Sequence, residues 1–320
     1  MDKILIPQDI AEVGKAYLRE RGYELKVGVP VDIESLKREV ADADGLIVRN
    51  ARYPREVLEA GTKLKVVARH GTGVDNIDLE AATELGIQVT NAPVSNINAV
   101  AEYTVALIMA LGCHLRVVDG RTRRKDWSYR DKMPSRRREI KGSVLGIVGF
   151  GRIGRMVAEK VMNGLGMQVI VYDPRAMPME HPRLTVVDAL DALLEQADFV
   201  TVHVPSTPET KDMFGLEAFK KMKRSACFIN CARGDVYVEA DLCQALEEGL
   251  IQGAALDVYR EEPLSPESRL FEQENLLLSQ HNASLSKEST DDMALHAAIG
   301  VDEVLRGEPP TWAVNDLTAH

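Results

Sequence analysis

Three polar residues stand at or just after the ends of apolar stretches: Arg233 in FINCARG, Glu262 in AALDVYREEP and His281 in LLLSQHNAS. In open α/β sheets ligands gather beyond the carboxyl ends of the strands, so residues far apart in sequence can converge there. Their types suit hydride transfer at the carbonyl carbon of a 2-oxo acid. Reduction leaves an alkoxide that must take a proton, and the reverse reaction needs a base. Histidine, with an unperturbed pKa of about 6.5, serves both directions near neutrality. A carboxylate beside it holds one tautomer and stabilises the imidazolium, while an arginine fork grips a substrate carboxylate and polarises the carbonyl. Glu261 competes with Glu262 for the carboxylate's place.

A second group of residues speaks for a dinucleotide. Gly149-Phe150-Gly151-Arg152-Ile153-Gly154 follows the apolar run SVLGIVG and opens an amphipathic helix; a second apolar run, MQVIVYD, ends in Asp173. Glycine spacings recur by chance, but strand, helix and downstream acid are all in place here. Gly149 permits the tight turn, Gly151 lets backbone approach a pyrophosphate, and Gly154 brings helix and strand together. The N–H groups near Arg152 and Ile153 then point at phosphate. Asp173 can accept from both adenosine ribose hydroxyls and would repel a 2′-phosphate, favouring NAD over NADP; Arg175 nearby is the opposing signal.

The elements that must position these groups alternate. KILIP, YELKVG, GLIVR, KVVAR and IQVTN read as strands separated by helices near 33–41, 54–60 and 79–85, the last bounded by Asp78 and Gly86. Such alternation implies parallel sheets. A long, largely apolar helix is expected from Asn98 toward Asp119 and should be buried. From Ser143 a second alternating series runs through DFVTVHVP, CFINCA, GAALDV and NLLLSQ, and a last helix is expected over 289–305. The basic stretch 121–138 reads as a surface connection, with phosphate recognition or a partner surface as its other possible roles.

The chain has 320 residues, 45% hydrophobic and 28% charged, with a formal net charge of -10. That length suits two domains, and that acidity argues against a general nucleic-acid binder. No apolar run approaches the roughly 18 residues of a membrane helix or the core of a secretory leader, so a cytoplasmic location is expected. Cys113, Cys227, Cys231 and Cys243 lack paired metal-ligand spacing and read as reduced thiols; no metal is expected.

With these residues in place, the sequence resembles the D-isomer-specific 2-hydroxyacid dehydrogenases, closest to those acting on 3-phosphoglycerate. The resemblance covers nearly the whole chain through VVARHGTGVDNIDLEAATELGIQVTNAP, AEYTVALIMAL, LGIVGFGRIGR, NCARGDV, AALDVYREEP and QHNASLSKES. It implies two doubly wound parallel-sheet domains. A Rossmann NAD-binding domain, 98–288, would be inserted into a flavodoxin-like substrate-binding domain, 1–97 with 289–320, and cofactor domains would pair into a homodimer. Arg233, Glu262 and His281 match the family's catalytic arginine, glutamate and histidine. Arg152, Ile153, Asp173, Pro205, Thr210, Cys231, Ala232 and Asp257 match positions lining the NAD site, although Asp257 also reads as a strand-end cap. Thr72 and Gly73 match a loop facing substrate and nicotinamide. Arg49, Arg69 and Arg130 align near positions that contact a phosphate. Gln280, Ala283, Ser284 and Ser143 depart from the family pattern without removing a functional group. Oxidation of 3-phospho-D-glycerate is therefore expected, with a glyoxylate or hydroxypyruvate reductase, or an NAD-sensing corepressor, as alternatives. His70 can approach substrate and His203 the cofactor.

Overall fold

The computed structural model describes every residue except 136, 138, 176–178 and 318–320; the end of the basic stretch lies outside the described residues. The chain forms two compact units, Met1–Ile97 with Ser284–His320, and Asn98–Ala283.

In the first unit β1 (Lys3–Ile6), α1 (Glu12–Glu20), β2 (Glu24–Val27), α2 (Ile33–Val40), β3 (Gly45–Val48), α3 (Arg55–Ala60), β4 (Val66–Arg69), α4 (Leu79–Glu84) and β5 (Gln88–Thr90) alternate. α11 (Lys287–Leu305) joins them from the far end of the chain. The sheet order is β2-β1-β3-β4-β5, every pairing parallel, which is the flavodoxin-like order. Strands buried on both faces carry near-continuous Val, Ile and Leu. Leu5, Leu46, Val48, Val67 and Val89 pack with Leu36, Val57 and Leu58 on one face. Ile4, Ile6, Ile47, Val66 and Ala68 pack with Leu18 and α11's Ala294, Ala297 and Val301 on the other.

α11 is also tied electrostatically. Its buried Asp302 accepts from Tyr17 Oη at 3.1 Å, Arg21 Nε at 3.0 Å and Tyr23 Oη at 2.9 Å. Local caps agree with the residue types: Asp32, Asp78 and Ser286 each accept a first-turn N–H of α2, α4 and α11.

The second unit holds α5 (Ile97–Gly112), α6 (Leu115–Arg123), β6 (Val144–Val148), α7 (Arg152–Lys160), β7 (Gln168–Tyr172), β8 (Leu184–Val186), α8 (Leu190–Leu194), β9 (Phe199–Val202), α9 (Leu216–Lys221), β10 (Cys227–Asn230), α10 (Glu239–Glu247), β11 (Gly253–Leu256) and β12 (Leu276–Leu278). Its seven strands run β12-β11-β10-β9-β6-β7-β8, all parallel. The order reverses between β6 and β9, where this doubly wound fold opens its ligand crevice. Both predicted parallel sheets are thus present.

Two local expectations are corrected. The single helix expected from Asn98 is two helices meeting at 59°, because His114 takes a left-handed backbone, φ 54°, between them. Just before the break α5 packs closely on Ile140: a side chain at Gly112 would lie 2.4 Å from Ile140 Cδ1. β8 was not foreseen, being three residues long and largely exposed. Among the described residues no single helix is long and apolar enough to cross a membrane.

Candidate active site

β10, β11 and β12 are neighbours, so the loops leaving their carboxyl ends lie side by side. They carry Arg233, Glu262 and His281 in turn, all within the second unit. His281 Nδ1 lies 2.7 Å from Glu262 Oε2, and Glu262 Oε1 accepts the Tyr259 N–H at 3.0 Å. Partial burial pushes the Glu262 carboxyl up. The His281 hydrogen bond, the Tyr259 N–H and the charges of His281 and Arg233 outweigh it, and the net shift is downward. Glu262 is therefore ionised through the neutral range and takes the Nδ1 hydrogen, leaving Nε2 for a further partner. The competing Glu261 has no such contact with the histidine among those seen.

Each member is held by its loop. Asn230, the buried last residue of β10, accepts the Ala232 N–H through Oδ1 at 2.9 Å and donates from Nδ2 to the Arg233 carbonyl at 2.9 Å. Arg233 Nη1 donates to the Ala232 carbonyl at 2.7 Å. Asp257, 1% exposed, accepts from Ser279 Oγ at 2.6 Å and from the N–H groups of Asn282 at 3.0 Å and Ala283 at 2.8 Å. Of its two sequence readings, the cap describes its contacts: both oxygens hold the loop that carries His281. Asn230 and Ser279 escaped the sequence reading. A polar residue closing an apolar strand, as in CFIN, was the available signal for the first.

The glycine turn has the geometry a dinucleotide requires. Gly149 has φ 93°, and a Cβ there would meet the His203 carbonyl at 2.6 Å. A Cβ on Gly154 would stand 2.3 Å from the Gly149 carbonyl oxygen, whereas one on Gly151 would meet nothing within 4 Å. No side chain caps the first turn of α7 at Arg152 and Ile153, so an uncapped helix N-terminus opens beside bare backbone. That is a fit for a pyrophosphate. Asp173, just past β7, accepts the N–H of Phe150 at 2.8 Å and of Arg175 at 2.8 Å, with lone pairs left for ribose hydroxyls.

Other expected residues lie as follows. Thr210 Oγ1 donates to the Pro205 carbonyl at 2.6 Å and accepts the Thr207 N–H, closing that loop on itself. Burial, with the Asp257 charge, pushes the Cys231 thiol up to about 12, so it is no thiolate nucleophile. His203 is half-buried; its ring nitrogen lies 3.1 Å from Thr201 Oγ1, and its carbonyl packs on Gly149. All four cysteines are unpaired, and no group of three metal-ligating side chains gathers among the described residues.

In the first unit Arg49, Arg69, Thr72 and Gly73 collect at the carboxyl ends of β3 and β4. Gln8 Oε1 accepts the N–H groups of Asn50 and Ala51, and Asn76 Nδ2 donates to the carbonyls of Arg49 and Ala51. Arg49, half-buried, donates to the Asp9 carbonyl at 2.8 Å. Arg69 is engaged in structure: Nε donates to Gly73 O at 2.8 Å and Nη1 to His70 O at 2.6 Å. Thr72 Oγ1 lies 3.0 Å from Asn96 Oδ1. His70 is buried with Nε2 unpaired, and burial, with the charges of Arg49 and Arg69, lowers it to about 4.

The family model for the NAD-binding domain of D-isomer specific 2-hydroxyacid dehydrogenases matches residues 105–283. The chain belongs to this family. It is 40% identical over 317 residues to D-3-phosphoglycerate dehydrogenase 2, chloroplastic, of Arabidopsis thaliana, covering 98% of this chain and 50% of that protein. It is 38% identical over 319 residues to D-3-phosphoglycerate dehydrogenase of Methanocaldococcus jannaschii, covering 98% and 60%. The chain thus spans between half and three-fifths of the length of these two relatives. Among solved structures, the TT0316 protein of Thermus thermophilus superposes with a TM-score of 0.85 at 33% identity, covering 98% of this chain and 100% of that one. The NAD-dependent formate dehydrogenase of Staphylococcus aureus, solved with NAD, gives 0.88 at 25% identity, covering 99% of each. In this family member the cofactor is NAD, and residues 105–283 form its NAD-binding domain.

Proposed function

We propose that the chain is an NAD-dependent dehydrogenase that interconverts 3-phospho-D-glycerate and 3-phosphohydroxypyruvate. The observation that carries the reading is the 2.7 Å contact of His281 Nδ1 with Glu262 Oε2 on loops next to Arg233. In the reductive direction Arg233 binds the substrate carboxylate and polarises its carbonyl. Bound NADH supplies the hydride to C2. His281 delivers the proton from Nε2 to the carbonyl oxygen, and Glu262 stabilises the imidazolium before transfer and keeps Nδ1 protonated after it. Run backwards, Nε2 takes the proton of the 2-hydroxyl.

Gly149, Gly151, Arg152, Ile153 and Gly154 would hold the pyrophosphate and Asp173 the ribose. Pro205, Thr210, Cys231, Ala232 and Asp257 would line the remainder. The first unit would be the substrate-binding domain, with Thr72 and Gly73 facing substrate and Arg49 meeting the phosphate; the similarity to named phosphoglycerate dehydrogenases supports this choice. A homodimer through the NAD-binding unit and a cytoplasmic location belong to the same reading, the latter supported by four unpaired cysteines. Arg69's engagement with its own loop favours a second reading, an unphosphorylated substrate such as glyoxylate or hydroxypyruvate.

NADH oxidation with phosphohydroxypyruvate, hydroxypyruvate, glyoxylate and 2-oxoglutarate, compared by kcat/KM, tests the assignment. The phosphorylated substrate is expected to lead. A lead by glyoxylate or hydroxypyruvate selects the second reading, and activity on none of them with NADH still bound overturns both.

A further inference from the structure

Tyr259 lies between the three loops of the site and plays no part in the proton transfer itself. It is buried, two residues past Asp257. Its N–H donates to Glu262 Oε1 at 3.0 Å, and its phenol O–H donates to the Ser279 carbonyl at 2.7 Å. Its own carbonyl presses on Gly234, the neighbour of Arg233: a Cβ on Gly234 would stand 1.9 Å from Tyr259 C and 2.1 Å from Tyr259 O. One residue therefore touches the Arg233 turn, the Glu262 turn and the His281 loop.

The His281 loop has reason to need holding. His281 has φ 52°, the left-handed region that a side chain disfavours. Such a backbone persists where its surroundings over-determine it. Downstream, Asp257 takes the N–H groups of Asn282 and Ala283. Upstream, Ser279, two residues before the histidine, is held at its N–H by the Leu256 carbonyl at 2.9 Å, at its Oγ by Asp257, and at its own carbonyl by the Tyr259 hydroxyl.

We infer that Tyr259 is a positioning residue that sets the approach of His281 to Glu262 by gripping both loops at once, one through its N–H and the other through its phenol. The inference rests on the reading of His281 and Glu262 as the acid–base pair. Burial keeps the phenol protonated, raised to about 12, so it remains a donor across the neutral range. Phenylalanine would keep the ring, the backbone N–H to Glu262 and the packing on Gly234. It would remove the hydroxyl's bond to the Ser279 carbonyl and its longer 3.4 Å contact with the Leu256 carbonyl; the Ser279 carbonyl would then lose its hold and the His281 loop could drift from the carboxylate. A displacement on the ångström scale at a reacting group costs up to about 100-fold in rate.

The test is Tyr259→Phe, with ¹⁵N spectra of the His281 ring in the substrate-free protein alongside steady-state kinetics. In the wild type the neutral ring is expected as the Nδ1–H tautomer. In the variant the two tautomers should mix, with kcat about 10-fold lower, KM changed by less than about twofold, and NADH affinity kept. An unshifted tautomer signal with wild-type kcat overturns the inference, as does a loss of thermal stability alone. If the variant does not fold, 3-fluorotyrosine at position 259 keeps the ring and hydroxyl but makes the phenol more acidic. A new alkaline fall in activity is then expected, and its absence counts against the inference. The ring spectra need no substrate. A wild-type chain inactive on every 2-oxo acid would sink the proposed function, whereas an unshifted His281 signal sinks the role of Tyr259.

Discussion

His281 and Glu262, nineteen residues apart, meet at 2.7 Å through Nδ1 and Oε2, and the carboxylate's other oxygen is fixed by the Tyr259 N–H. A carboxylate held on both oxygens has little freedom to turn away from the ring. It sets the tautomer by geometry as well as by charge.

Glu262→Gln tests that charge. The amide oxygen can still face Nδ1, but nothing then stabilises the imidazolium. kcat is expected to fall about 100-fold, the lower range for an acid–base group, with NADH affinity kept. Steady-state kinetics with a saturating 2-oxo acid measures it; a variant within about twofold of wild type would show that His281 works without the carboxylate.

Arg49 and Arg69 should behave differently. Arg69 supports the loop through the Gly73 and His70 carbonyls, so Arg69→Ala should lower kcat/KM for all substrates alike. Arg49 is half-buried and donates to the Asp9 carbonyl, and Arg49→Ala should penalise phosphohydroxypyruvate over glyoxylate by about 10-fold or more, the worth of a charged hydrogen bond. Equal losses on both substrates would remove Arg49 from phosphate recognition.

His70 gives a pH dependence of stability. Its folded value of about 4 lies below the ordinary 6.5. Between those limits the unfolded chain binds a proton that the folded one refuses, so stability rises with pH across this window. It is complete above about pH 6.5 and falls by up to roughly 3 kcal/mol as pH drops toward 4. Urea midpoints from pH 7 to 4.5 should fall less steeply for His70→Leu than for wild type. Parallel slopes would mean that His70 is protonated in the fold. His203, also lowered to about 4 by burial, contributes a separate part that this substitution leaves in place.

Much of this architecture was readable from residue pattern because strands buried on both faces are apolar nearly throughout, as GLIV and GAAL are. The glycine turn was readable because Gly149 and Gly154 each answer a different steric demand and Gly151 leaves bare backbone between them. What escaped depends on neighbours remote in sequence. β8 has three residues and little burial, so no pattern marks it. The bend between α5 and α6 lies in the left-handed backbone of His114, a residue type that carries no helix-stop signal. The hydrogen bonds of Arg69 to the Gly73 and His70 carbonyls were not legible either, since they depend on how the loop after β4 turns back. The contacts of Asp257 with the His281 loop were not legible, because they depend on β11 and β12 being neighbours. The role of Tyr259 had no sequence signal, because the worth of its hydroxyl depends on a carbonyl twenty residues away.

The most direct test of the central claim is single-turnover oxidation of bound NADH by phosphohydroxypyruvate in wild type and His281→Ala, with NADH affinity measured on both. The substitution is expected to slow hydride transfer by about 10²–10⁴-fold, the range for a general acid, while NADH still binds as in wild type. A near-wild-type rate in His281→Ala would contradict His281 as the proton donor and with it the assignment of the site.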